Sequence, residues 1–166
     1  MSTEQVDQRR ANLEALTASG VDPYPYSYEV THHADDILGG FDALETSQDM
    51  VRVAGRIVAK RGHGKSTFAH LQDASGRIQL YLKLNVVGED AYAMVKLMDL
   101  GDLVGVAGPV FRTRTGEETI EVREITHLAK CLQPLPEKWH GLKDTEIRYR
   151  QRYLDLIVNE DTRRIF

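Results

Sequence analysis

Between Val51 and Leu84 three segments set apolar residues at every second position, and this period of two most constrains what the chain can fold into. Alternation sends successive side chains to opposite faces of a strand. "VRVAGRIVAK" sets Val51, Val53 and Ile57 against Arg52, Arg56 and Lys60, and Gly55 in its middle predicts a bulge or sharp bend. "STFAHLQD" places Ala69 and Leu71 inward and Phe68, His70 and Gln72 outward, then closes in the turn Asp73-Ala74-Ser75-Gly76. "RIQLYLKL" puts Ile78, Leu80, Leu82 and Leu84 on one face and Arg77, Gln79, Tyr81 and Lys83 on the other. The spacing then changes, since Ala91, Met94, Val95 and Met98 fall at helical intervals. "LVGVAGPVFRTR" and "ETIEVREI" return to strand as a hairpin across Thr115-Gly116.

Three strands, a helix and two more strands is the element order of an OB-fold, a five-stranded Greek-key barrel, and the intervening helix favours it over a small SH3-type barrel. The predicted barrel spans residues 50–132, in a mostly β chain with flanking helices. Residues 1–49 read as a helical extension. Its first helix has Ser2 and Gln5 as a capping box and Gly20 as its stop, with a thin apolar stripe of Val6, Leu13 and Leu16. Pro23 and Pro25 hold "VDPYPYSYEV" extended, and Thr31 is placed to cap a short helix ended by Gly39-Gly40. Residues 133–166 read as a proline-punctuated linker and a helix capped by Asp144 or Thr145, with Ile147, Leu154 and Ile157 as its apolar stripe.

Cys131 is the lone cysteine, so no internal disulfide forms and a reducing, cytoplasmic setting is expected. No apolar run is long enough for a membrane span, and the opening lacks a secretory leader pattern. Scattered histidines, among them the adjacent and diverging His32 and His33, argue against a metal site. A net charge of −4 excludes an indiscriminate nucleic-acid coat but leaves room for a local basic patch. Residues 51–65 supply that patch: Arg52, Arg56, Lys60, Arg61 and Lys65 stand there with no acid between them.

The same stretch contains "AKRGHGKS", which ends like a nucleotide-binding P-loop but has Ala59 where the first glycine belongs. A P-loop needs a helix after it, because the helix N-terminus and the loop N–H groups hold the phosphates. The alternating "TFAHLQDASGRIQLYLKL" predicts a hairpin there instead, so the reading is a basic hairpin loop.

Alternation brings an aromatic ring, an amide and several cations to the outer face of the second and third strands. OB-folds bind oligonucleotides on that face, where an aromatic stacks a base of any sequence and an amide reads its edge. Phe68 is then a platform and Gln79 a reader; covering of Phe68 by a protein partner or an appended helix is the alternative. No catalytic set is expected. Ser66 and Ser75 lack a base, His127 and His140 lie off the binding face, and Glu117-Glu118 is read as an acceptor at the rim after a turn.

Three stretches, "VRVAGRIVAKRGHGKSTFAHLQDASGRIQLYL", "DLGDLVGVAGPVFRTRTGE" and "HGLKDTEIRYRQRYLDLIVN", together resemble the N-terminal anticodon-binding region of class II lysyl-tRNA synthetases. The aspartyl and asparaginyl enzymes share the OB-fold and a Tyr-Leu-Asp-Leu element, but theirs typically continues with arginine where Ile157 stands here. A stand-alone single-strand-binding OB protein is a further alternative, though it gives "RYRQRYLDLI" no role. The resemblance implies a partner, the tRNA for lysine, with a uridine-rich anticodon. By it, Phe68 stacks on the central anticodon base, Gln79 hydrogen-bonds it, Arg61 contacts that base or its backbone, and Glu117 contributes to recognition. Arg52, Arg56, Lys60, Lys65 and Arg77 would attract the tRNA backbone at the rim. It also implies a homodimeric parent enzyme that joins lysine to tRNA, with ATP and magnesium held by a catalytic domain beyond Phe166. Residues 133–166 would open that domain, and the 166-residue chain alone is expected to be non-catalytic, with no cofactor of its own.

Overall fold

The computed structural model describes residues 3–135 and 145–166. They fall into two compact units, Met1–Leu132 and Gln133–Phe166. The first holds helices α1 (Thr3–Ala18), α2 (Ala34–Gly39) and α3 (Phe41–Ser47), then strands β1 (Val51–His63), β2 (Ser66–Gln72) and β3 (Arg77–Lys83). Helices α4 (Leu84–Val87) and α5 (Glu89–Leu97) follow, and then β4 (Leu103–Gly108), β5 (Val110–Arg112), β6 (Glu118–Val122) and β7 (Glu124–Ala129).

Seven strands stand where five were expected, because both arms of the last hairpin break in the middle. Pro109 has no N–H to give to a ladder and separates β4 from β5; Arg123 separates β6 from β7. The arms still pair across the breaks, with Glu121 N–H donating to Pro109 O and Arg123 N–H to Ala107 O, each at 2.9 Å. The sheet order is β5-β6-β3-β2-β1-β4-β7. β4 is antiparallel to β1, and β6 is parallel to β3, so the two ends of the open ladder both come from one bent hairpin. This mixed sheet is the OB-fold that the element order predicts.

Alternation fills its interior. Val51, Val53 and Ile57 of β1 are buried against Leu71, Ile78, Leu80, Leu82, Val104, Val106, Ile120 and Val122, with Val95 and Met98 from the α5 end. Each such side chain contributes roughly 1.5–3 kcal/mol on burial. Ile37 and Phe41 of the α2–α3 pair join the same cluster.

The expected break in β1 is real but displaced. Gly55 keeps regular register opposite Val104, and the irregularity falls between Ile57 and Ala59. Glycine at 55 answers a different need: a Cβ there would stand 2.5 Å from Gln72 O and 2.6 Å from a Leu71 methyl. The bulge reverses which residues of β1 face inward. Ile57 pairs with inward Leu71, and beyond the bulge Lys60 pairs with inward Ala69 while Arg61 pairs with outward Phe68. Lys60 therefore does not share the face of Arg52 and Arg56, contrary to simple alternation.

At the opposite end from the β1–β2 turn, Thr31 is not the cap of α2. His33 takes that place, its N–H donating to Asp36 at 3.0 Å, while the Thr31 hydroxyl accepts the Arg52 N–H at 2.9 Å. Ser2, the expected capping residue of α1, lies outside the described residues. α1 buries Leu16 and attaches largely by polar contacts: Arg9 donates to Leu100 O at 2.9 Å and Cys131 O at 2.6 Å, and Asn12 donates to Asp99 at 3.0 Å.

Beneath those contacts sits a buried ionic cluster. Asp102 accepts from Lys130 Nζ at 2.8 Å, from Cys131 N–H at 2.8 Å and from Asp99 N–H at 2.9 Å, and His127 Nε2 lies 3.4 Å away. Burial pushes the Asp102 carboxyl up, but the bonds from His127, Lys130 and the two backbone N–H groups outweigh it and hold it below the usual carboxylate value.

In the second unit the predicted single helix is three short ones, α6 (Thr145–Arg150), α7 (Arg152–Val158) and α8 (Glu160–Ile165). Asp155 is buried and organises them, accepting from Arg148 at 2.9 Å, Arg152 at 2.6 Å and Asn159 at 2.5 Å. Leu154 is buried as predicted, whereas Ile147 is 43% exposed. Asp144 and most of the predicted linker, with His140, lie outside the described residues.

Candidate nucleic-acid interface

β1 and β2 meet in a two-residue turn, His63 opposite Ser66, with Gly64 at φ 58 supplying the left-handed conformation the tight reversal requires. Ser66 thus opens a strand, and "AKRGHGKS" lacks the helix that would make it a phosphate loop.

Across β2 and β3 the register sets Phe68 opposite Tyr81 and His70 opposite Gln79, all on the face away from the core. The Phe68 and Tyr81 rings stack, with centroids 4.5 Å apart and planes 15° from parallel. Phe111 of β5 extends the aromatic strip, 6.0 Å from Tyr81 and tilted by 50°. Both rings of the stacked pair are half-buried, so each supports its neighbour and keeps surface for a ligand. Such pairs contribute about 0.5–1.5 kcal/mol beyond area burial, so the stack is favoured without a ligand.

Cations frame the pair. Arg61 stands directly across from Phe68, Lys65 sits in the hairpin turn, and both are exposed. Among the described residues neither makes an ion pair. Lys83 reaches over Tyr81, its Nζ 4.9 Å from the ring centroid and 3.5 Å from Glu121.

Beside the rings lies a polar group centred on Gln79, which is only 8% exposed although it is on the outer face. Glu117, from the turn before β6, covers it and also lies 3.2 Å from His70 Nε2. Thr119 of β6 pairs with Gln79 in parallel register, and its hydroxyl is 3.0 Å from the Gln79 amide. The amide orientation that satisfies both neighbours points its NH2 to the two Glu117 oxygens, each at 3.0 Å, and its carbonyl to Thr119 Oγ1 at 3.0 Å.

The remaining rim cations stand apart. Arg52 pairs with Glu124 at 3.1 Å and lies over the Tyr28 ring, on the part of β1 that joins β4. Arg56 donates to Gly101 O at 2.7 Å and Arg77 to Gln72 at 2.8 Å, at the end of β2 about 13 Å along the strand from Phe68. Lys60 is turned under the sheet. Its ammonium donates to Val95 O and Met98 O, each at 2.6 Å, at the C-terminal end of α5, where carbonyls have lost their regular helical partners. Burial lowers its pKa, with nearby Asp99 opposing.

The face therefore unites Arg61, Phe68, Gln79, Glu117 and Lys65, and it separates them from Arg52, Arg56, Lys60 and Arg77. Tyr81, Phe111, His70, Thr119 and Lys83 belong with the first group. Alternation marks Tyr81 and Lys83 as outward, but only register shows that they adjoin Phe68; Phe111 and Thr119 need the non-local β3–β6 pairing. Among the described residues no group of three His, Cys, Asp or Glu side chains comes together to hold a metal ion, and no helix is long and apolar enough to cross a membrane.

Residues 51–128 match the tRNA anti-codon family, described as an OB-fold nucleic acid binding domain. The chain is 51% identical over 163 residues to a lysine–tRNA ligase of Carboxydothermus hydrogenoformans, covering 98% of this chain and 33% of that protein. A lysine–tRNA ligase of Moorella thermoacetica is 52% identical over 95% of the chain and 32% of its own length, and one of Xylella fastidiosa 51% over 97% and 33%. The chain thus spans about a third of the curated relatives it matches. Over that third the chain is similar to lysine–tRNA ligases, and residues 51–128 form an OB-fold that matches the nucleic acid binding domain family.

Proposed function

We propose that the outer face of β1, β2 and β3 binds the anticodon loop of the tRNA for lysine, within an enzyme that joins lysine to that tRNA using ATP. The observation that carries this reading is the half-buried stack of Phe68 on Tyr81, opposite the exposed Arg61. Unpaired bases stack on such rings, and cations around them neutralise the neighbouring phosphates. Phe68 holds the central anticodon base, Gln79 and Glu117 meet its edge, and Arg61, Lys65 and Lys83 face the backbone. ATP and magnesium belong, in this reading, to the other two thirds of the family's length, in a cytoplasmic homodimer. The test is titration of the chain with anticodon stem-loops of the tRNAs for lysine, asparagine and aspartate. Preference for the lysine loop, abolished by Phe68→Ala, is the expected result; equal binding of all three in wild-type protein contradicts it.

A further inference from the structure

We propose that Glu45 and Gln48 of α3 are positioning residues for the nucleic-acid face: they hold edge strand β5 from its outer side and so fix Phe111, the third ring of the aromatic strip. This rests on the reading of that face as an anticodon-loop site. β5 is three residues long, ends the sheet order and pairs with β6 alone among the described residues. An edge strand turns part of its N–H and C=O groups away from its neighbour, and covering by a helix is one way to satisfy them. Here side chains of α3 make the cover. Glu45 Oε1 accepts the Arg112 N–H at 2.8 Å, and Gln48 Nε2 donates to Val110 O at 3.3 Å. The two bonds bracket Phe111, whose other side is set by its pairing with Thr119. Held between α3 and β6, the ring stands 6.0 Å from Tyr81.

Two features fit α3 to this contact. Gln48 adopts φ 58, in the left-handed region that residues other than glycine seldom occupy, and closes α3 by donating its N–H to Leu44 O at 2.9 Å. Glycine suits that backbone and ends a helix equally well, but it has no amide to reach Val110. Arg112 secures the same seam. Its guanidinium donates to Asp42 at 2.7 Å and Glu45 at 3.3 Å on α3, and to Glu118 at 3.1 Å on β6. Its central carbon lies 4.8 Å from the ring centre of Phe41, which is part of the core. Arg112 is thus engaged by three carboxylates and is not a further cation for RNA.

The experiment compares wild type, Glu45→Ala, Glu45→Gln, Gln48→Gly, Phe111→Ala and Phe68→Ala. Each is titrated with the lysine anticodon stem-loop, melted thermally and followed by amide hydrogen exchange at Arg112. Charge has to be controlled, since removal of a carboxylate by itself favours an anionic ligand. Glu45→Gln keeps an acceptor for the Arg112 N–H and should bind at least as tightly as wild type. Glu45→Ala removes the same charge and the acceptor too. It should bind about threefold or more weaker than Glu45→Gln, the scale of one hydrogen bond, and exchange the Arg112 N–H faster. Gln48→Gly relieves the left-handed backbone, so its melting temperature should hold or rise, yet its binding should fall by about twofold or more. Neither loss should recur when the substitution is added to Phe111→Ala. With Phe68→Ala still weakening binding, Glu45→Ala matching Glu45→Gln overturns the role of Glu45, and wild-type affinity in Gln48→Gly overturns that of Gln48; the site stands in either case. Phe111→Ala binding as wild type does overturns both roles, because the ring they place then contributes nothing. If Phe68→Ala itself leaves binding unchanged, the reading of the face fails, and the positioning role with it.

Discussion

Arg61 and Phe68 stand directly opposite each other across β1 and β2, while Lys60, one residue earlier, faces the core side against Ala69. One bulge between Ile57 and Ala59 thus assigns two adjacent cations to different tasks. Arg61 is free to meet a phosphate or a base, and Lys60 satisfies the carbonyls that end α5.

This division predicts opposite phenotypes for neighbouring substitutions. Lys60→Met should lower the melting temperature and leave the salt dependence of RNA binding intact. Arg61→Gln or Lys65→Gln should leave the melting temperature near wild type. Either should flatten the log–log salt slope by about 0.7 for each phosphate no longer neutralised, the single-strand value. Salt titrations beside thermal melts check both, and a flattened slope in Lys60→Met contradicts the assignment.

Much of this face was readable from residue order. Period-two alternation placed Phe68, Tyr81, Gln79 and Lys83 outward, because strand sterics make that inference local. It failed at Lys60 because a bulge inserts one residue and inverts every face after it, and Gly55, the conspicuous glycine, marked a close strand crossing instead. It also gave no sign that Gln79, though outward, is covered. That cover comes from Glu117 and Thr119, some 40 residues on, through a pairing no local pattern encodes.

The crossing at Gly55 yields a stability prediction. A methyl group at this position meets the Gln72 backbone at 2.5 Å, which no side-chain rotation relieves. Gly55→Ala should therefore force β1 away from the end of β2 and cost on the order of 1–3 kcal/mol, as core overpacking does. Urea denaturation measures it, and a variant as stable as wild type counts against the close approach.

Asp102 contributes to the acid sensitivity of the first unit, as does Asp73, whose carboxyl, pushed up by burial, the N–H groups of Gly76, Ala34 and Ser75 also hold below the usual value. The Asp102 carboxyl titrates below the ordinary value in the folded chain, so its contribution is complete above the unfolded-state pKa of about 3.9 and disappears as pH falls through the depressed folded value. Asp102→Asn removes one of the two carboxylates that hold the buried Lys130 ammonium, Asp99 remaining at 2.6 Å, so the cost should fall below the roughly 3–5 kcal/mol of a buried charge left with no partner. Denaturation between pH 3 and pH 7 should show a lower, flatter stability profile in the variant. Matching profiles would show that the cluster contributes nothing.

The Phe68 ring, in the proposed complex, holds a base whose edge meets Gln79, and everything else said of the face depends on that pairing of roles. The most direct measurement is a double-mutant cycle of Phe68→Ala and Gln79→Ala on lysine anticodon stem-loops with uridine or cytidine at the central position. Removal of the stacking ring should cost about 1–3 kcal/mol of affinity. Gln79→Ala should chiefly erode the preference for uridine, and the two effects should be non-additive, since an edge is read only on a base held in place. Strictly additive effects, or a Phe68→Ala variant that binds as wild type does per folded molecule, would contradict it.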